Sequence, residues 1–143
     1  MRGLLEAERA EGIHKPGAVL HDPSAAIALL WMRRTLQFLL RCMEGVAATG
    51  EDAPSMPDVG ASAYRLELEP FHGWLLKNTF AVAMQAMPRK EEVIGKLGAH
   101  LPEVGRETAV RREVTECMEM IRGVVDSMRG LYVELDLEDM RKV

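Results

Sequence analysis

A chain of 143 residues that is 48% apolar and 28% charged can bury a real core without staples, and these values exclude bulk disorder. Its net charge of −4 leaves no basic footprint for nucleic acid, so a nucleic-acid partner is excluded. The longest apolar run, Ala25 to Met32, is far too short to span a bilayer, and no signal peptide precedes the first helix, so a soluble, cytoplasmic protein is expected.

In chain order, Leu4 to Glu11 is helical in composition but short, and an isolated helix of that length is marginal. It must dock on the rest of the chain or be the tail of something longer. Gly12 to His21, with Pro16 and Gly17, is a connector. The next helix, about Pro23 to Val46, opens on a start signal in which Asp22 or Ser24 caps and Pro23 suits the first turn. It carries two apolar stripes. Leu29, Met32, Leu36, Leu39 or Leu40 and Met43 form one, and Ala28, Trp31, Thr35, Phe38 and Cys42 form the other. A surface helix needs one such stripe, so this helix is expected to be surrounded on most sides, with Arg33, Arg34 and Arg41 nearly its only charges.

Residues 47–60 hold two prolines, two glycines and three acids, which predicts a loop. Ala61 to Glu69 alternates at Tyr64, Leu66 and Leu68, but its helical surroundings make it a helix turn. Phe71 to Met87 predicts a second helix that is apolar on more than one face, stopped by Pro88. Glu91 to Leu97 is a short helix closed by Gly98. Glu107 to about Leu137 predicts a long amphipathic helix with a single stripe through Val110, Val114, Cys117 and Met118, Ile121, Val124 and Val125, Met128, Leu131 and Tyr132, and Leu135. Nothing argues for a sheet, so the fold class is all-α, in a single domain spanning residues 1–143.

The ten methionines are soft apolar filler, either core or adaptable surface. Cys42 and Cys117 lie inside apolar helical patterns and read as buried thiols, not as a disulfide or metal framework. No phosphate loop, metal-spaced histidine pair or Cys-x-x-Cys is present, so no cofactor, metal or catalytic residue is predicted. His14, His21 and His100 are expected at the surface. His72, between Phe71 and Trp74, needs a hydrogen-bond partner: a backbone carbonyl if it is a core residue, a ligand if it is functional. Trp31 is either a large core residue or a platform beside Arg33 and Arg34. Trp74 suits a core or a membrane interface.

Two stretches carry a resemblance. Leu29-Leu-Trp-Met-Arg-Arg-Thr-Leu-Gln-Phe-Leu39 resembles the LxWLKRGLxF helix of the glycolipid transfer proteins, and residues 63–88 resemble their AYxxxLxxxHGWxxxxxFxxAxxxxP segment, with Tyr64, His72, Gly73, Trp74, Phe80 and Pro88 in register. Leu5-Glu-Ala-Glu8 is similar to the family's LxExE segment. The resemblance covers nearly the whole chain. It implies an all-α, two-layer sandwich that encloses the hydrocarbon chains of one sphingolipid and carries it between membranes through the cytosol, peripheral to them, without enzymatic chemistry.

By position, the resemblance makes Trp31 the sugar platform, His72 the partner of the ceramide amide and Arg34 a basic residue at the headgroup. Ile27, Phe38, Phe80 and Met84 would line the chain pocket, and Trp74 would face the membrane. Two departures are visible. The family's headgroup centre also uses an Asp, an Asn and a Lys on a helix earlier than Leu4, so an N-terminally truncated or reduced sandwich is expected, with exposed apolar surface and homodimerisation through it. Docking aromatics of better-known members are Gln85 and Arg89 here. Arg89 and Lys90 are instead expected to attract anionic lipid, by about 1 kcal/mol per basic residue. Trp31 favours a glycosphingolipid, while Arg33 and Arg34 keep ceramide-1-phosphate as the alternative. A non-transferring helical interaction module is the reading from a different class.

Overall fold

The computed structural model describes residues 1–14 and 19–142, and all regular structure among them is helical. The helices are α1 (Arg2–Ala10), α2 (Ala25–Ala47), α3 (Met56–Glu67), α4 (Trp74–Gln85), α5 (Lys90–Leu97) and α6 (Arg106–Glu134), with a 3-10 turn at Glu69–Phe71. The connector's Pro16 and Gly17 lie outside the described residues.

Ser24, not Asp22, caps α2: its hydroxyl accepts from the Ile27 N–H at 3.1 Å, and Pro23 stands outside the helix. Two further N–H groups of the first turn, on Ala25 and Ala26, donate to the Glu8 carboxylate at 2.6 and 3.0 Å. Short α1 is thus docked through a side chain that satisfies α2's orphan donors and complements its dipole. The contact also buries His14, against the expectation of a surface histidine. Its Nε2 lies 3.7 Å from Glu8, whereas His21 and His100 are exposed as expected.

The predicted loop over 47–60 is shorter than that. Ser55 caps α3 by accepting from the Asp58 N–H, with Pro57 in the first turn, so the helix starts at Met56 and takes in the expected turn as far as Glu67. The predicted helix over Phe71–Met87 begins later, at Trp74. Pro70 sits in the 3-10 turn, and Gly73 caps α4 in an extended conformation. His72 therefore lies in an extended link (φ −96°, ψ 138°) rather than on a helix. α6 stops at Glu134, and Asp136, with φ 52°, turns the tail back so that Leu135 and Leu137 are buried.

α2 packs against α6 and α3, α1 and α5 flank this pair, and α4 packs on α3. Gly45 permits the α2–α3 approach: a Cβ there would stand 2.6 Å from the Val59 methyls. The core has two parts. One joins Leu40, Val46, Met56, Ile94 and the α6 stripe from Val110 to Val125, and the other joins Leu5, Leu20, Ala26, Leu30, Tyr132 and the tail. Of the predicted α6 stripe, Val110, Val114, Met118, Val125, Met128, Tyr132 and Leu135 are buried, Cys117, Ile121 and Leu131 are half-buried, and Val124 is exposed. α4 contributes no buried residue at all, and Trp74 is 78% exposed. Part of the exposed apolar surface expected from the sequence lies there, at Trp74, Leu75 and Val82, and the rest is spread over other elements, as at Val104, Met120 and Val133. Cys42 and Cys117 are free, and half-buried rather than buried.

Candidate functional site

Residues 31, 34 and 38 recur at helical spacing, so they share one face of α2. The extended link brings His72 back to that face, where its ring stacks on Trp31 with centroids 5.6 Å apart and planes 23° apart. The Arg34 guanidinium lies 5.0 Å from the Trp31 centroid and 3.4 Å from that of Phe71. Tyr64, from α3, closes the group: its ring is stacked on Phe80 at 4.8 Å, and its hydroxyl lies 3.1 Å from His72 Nδ1. Trp31, Arg34 and His72, proposed from separate motifs, are therefore one cluster.

Arg33 and Arg34 are both buried, although sequence reasoning treats arginine as a solvated residue. The tail is the reason. Arg33 forms a forked ion pair with Glu138 and lies over the Tyr132 ring at 5.1 Å. Arg34 donates to the Asp139 carbonyl and pairs with no carboxylate among the described residues, and its buried Nε has no partner there. Burial, and then the neighbouring Arg33 cation, bring the Arg34 pKa down to about 10, which leaves it charged. Burial also lowers His72, helped by the Arg34 and Lys77 cations, so its ring is neutral at physiological pH. Burial pushes Asp139 up, but bonds from Arg141 and from the Leu20 N–H outweigh it and hold the carboxyl at about 2.

Ile27, Trp31 and Arg34 line a cleft of about 80 Å³ whose other wall is Asp22, Asp139, Arg141 and Lys142. Ile27, expected among the chain-pocket residues, thus borders the cleft beside Trp31 and Arg34. Phe80 lies 5.1 Å from His72, and Met84 lines a separate cleft of about 550 Å³ between α3 and α4. Phe38 is half-buried, two turns beyond Trp31. An apolar groove of about 450 Å³, lined by Leu39, Met43, Val46, Met87, Val93 and Val114 among others, opens between α2, α5 and α6, and both cysteines face it. Trp74 and the Arg89–Lys90 pair do not share a patch. Trp74 opens the 12-residue α4, which is roughly 18 Å long, and the Arg89–Lys90 pair follows its other end, at the start of α5.

Sequence reasoning missed Glu138, which pairs Arg33, and Asp139 and Arg141, which line the cleft from the far end of the chain; no local pattern marks them. It also passed over Tyr64, although the quoted motif held that residue in register.

A family profile described as glycolipid transfer protein matches residues 1–99. Among curated relatives, glycolipid transfer protein A of Xenopus laevis is 31% identical over 72% of this chain and 49% of its own length. Glycolipid transfer protein of Danio rerio is 29% identical over 85% of this chain and 54% of its own length. The chain spans about half the length of these relatives. In fold it is similar to human ceramide-1-phosphate transfer protein in complex with 12:0 ceramide-1-phosphate, with a TM-score of 0.82 at 22% identity over 98% of this chain and 65% of that one. It is also similar to FAPP2, described as selecting simple glycosphingolipids with the glycolipid transfer protein fold, with a TM-score of 0.81 at 23% identity over 100% of this chain and 65% of that one. The all-α fold is therefore that of this family.

Proposed function

Because the chain belongs to the glycolipid transfer protein family, we propose that it binds one sphingolipid at the Trp31–Arg34–His72 cluster and carries it between membranes, in the cytosol, without covalent chemistry. The observation that supports this most is convergence: Trp31 and Arg34 line a cleft, His72 from a distant segment stacks on Trp31, and Trp74, Leu75 and Val82 of α4 leave apolar surface exposed. Such a site has the composition a buried amphiphile requires, a few placed polar groups beside apolar wall. His72 serves the amide, Trp31 stacks on the first sugar, and Phe38, Phe80 and Met84 meet the chains. α4, with Trp74 at one end and Arg89–Lys90 beyond the other, faces the membrane, where indole is favoured and basic residues attract anionic lipid.

A second reading, ceramide-1-phosphate, is favoured by one observation. Arg34 is a buried cation with no carboxylate partner among the described residues, and such a group gains from an anionic ligand.

The test is transfer of labelled galactosylceramide between phosphatidylcholine vesicles, with ceramide-1-phosphate as competitor. Saturable sugar-lipid transfer, lost in Trp31→Ala, is the expected result. Transfer of the phosphate lipid, lost in Arg34→Gln and kept in Trp31→Ala, would move the role of reader to the arginine. A folded helical sample that moves neither lipid would overturn carriage and leave the interaction module.

A further inference from the structure

The His72–Tyr64 contact has a chemical consequence. A neutral imidazole carries one N–H, and the bond made by one nitrogen decides what the other can do. Tyr64 is buried, and its hydroxyl has one hydrogen-bond partner among the described residues, His72 Nδ1 at 3.1 Å. If Nδ1 held the proton, it would donate to the phenol oxygen, and the phenol's own proton would be left buried without an acceptor, which is costly. The reverse arrangement, phenol donating to Nδ1, satisfies both groups. Burial, and then Glu69, raise the Tyr64 pKa, so the hydroxyl keeps the proton it must donate. His72 Nε2 takes no hydrogen bond from the described residues and is not among the sealed, unpartnered polar atoms, so it is open to a ligand.

We infer that Tyr64 is a positioning residue for ligand capture: its hydroxyl, donating to Nδ1, holds His72 as the Nε2–H tautomer and presents that N–H to an acceptor on the ligand. Stacking supports the geometry from both sides, Phe80 beneath Tyr64 and Trp31 against His72, so neither ring is free to turn. A donor at Nε2 selects a carbonyl, such as that of a lipid amide, over a group that only donates. The inference rests on the lipid reading for the identity of the ligand, but the tautomer itself is a property of the free protein.

The experiment is a long-range proton–nitrogen correlation spectrum of 15N-labelled protein without lipid at pH 7.5, with His72 assigned by its absence in His72→Gln. Wild type is expected to show a pyridine-like Nδ1 and a protonated Nε2. Tyr64→Phe keeps the stacked ring and removes the hydroxyl. It should show a mixture of tautomers at His72 with unchanged helix content, and bind dansyl-galactosylceramide about five- to tenfold more weakly. A protonated Nδ1 in wild type, or an unchanged tautomer in Tyr64→Phe, would overturn the inference. Should Tyr64→Phe fail to fold, the wild-type spectrum decides alone. The expected tautomer in a wild type that captures no lipid would support the Tyr64–His72 arrangement and count against the lipid reading instead.

Discussion

α6 and α4 are opposites. α6 spans 29 residues, is charged on most of its surface, and buries one stripe from Val110 to Tyr132. α4 is the more apolar of the two in composition, yet none of its 12 residues is buried. The difference lies in what each helix meets. α6 faces the length of α2, whereas α4 meets α3 along one side and leaves Trp74, Leu75 and Val82 in the open. Apolar content is a property of a segment; burial is a property of a pair. Under the proposed lipid reading, a layer that packs on protein along one side only has apolar surface to spare for lipid.

The contrast can be broken by mutation, from the sealed side outwards. Leu30, fully buried where α2 meets Tyr132 and the tail, should lose about 2–5 kcal/mol on replacement by alanine, read by urea unfolding. A loss below about 1 kcal/mol would mean that this part of the core is not closed in solution. Next comes Glu138→Ala, which leaves Arg33 buried without its partner. Because Glu138 is itself partly exposed, a smaller cost of about 1–3 kcal/mol is expected. An additive double mutant with Arg33→Met would refute the coupling.

Acid should loosen the same region in two steps. The folded His72 pKa is depressed, so the unfolded chain binds its proton first; the contribution is complete above pH 6.5 and is lost as pH falls through the lower folded value. Protonation would also put a hydrogen on Nδ1 and end the bond from Tyr64. Asp139 behaves alike further down, contributing above pH 3.8 and ceasing to do so near pH 2. Unfolding midpoints measured from pH 7.5 to 5 should fall, and His72→Gln should flatten that slope. An equal slope in both proteins would remove His72 from the account. The smallest effect belongs to α4. Val82→Ser, at a residue 70% exposed, should change stability by less than about 0.5 kcal/mol while weakening vesicle binding. A large loss of stability there would show that α4 is covered in solution.

Much of this was legible in the chain because it depends on local pattern. Period-3.6 stripes marked α2, α4 and α6, Ser24 and Gly98 mark ends that caps decide, and the motif around His72, Gly73 and Trp74 carried the family. Errors fell where a cap or a turn overrode composition. Ser55 and Pro57 start α3 inside a stretch that composition reads as loop, and Gly73 delays α4 so that His72 is in extended backbone.

What the sequence determined by itself was the all-α class and the doubly apolar α2 and α4, since these follow from side-chain chemistry at helical spacing; the candidate site residues were named by the family motif. Only the tertiary structure decided that Arg33 and Arg34 are buried, that Glu138 pairs Arg33 while Asp139 and Arg141 wall the cleft, and that Tyr64 meets His72. Those contacts join residues on different elements, and those of the arginines with the tail cross more than a hundred residues of sequence. No periodicity reaches that far: a charge is placed inside a protein by the partner that folding brings to it.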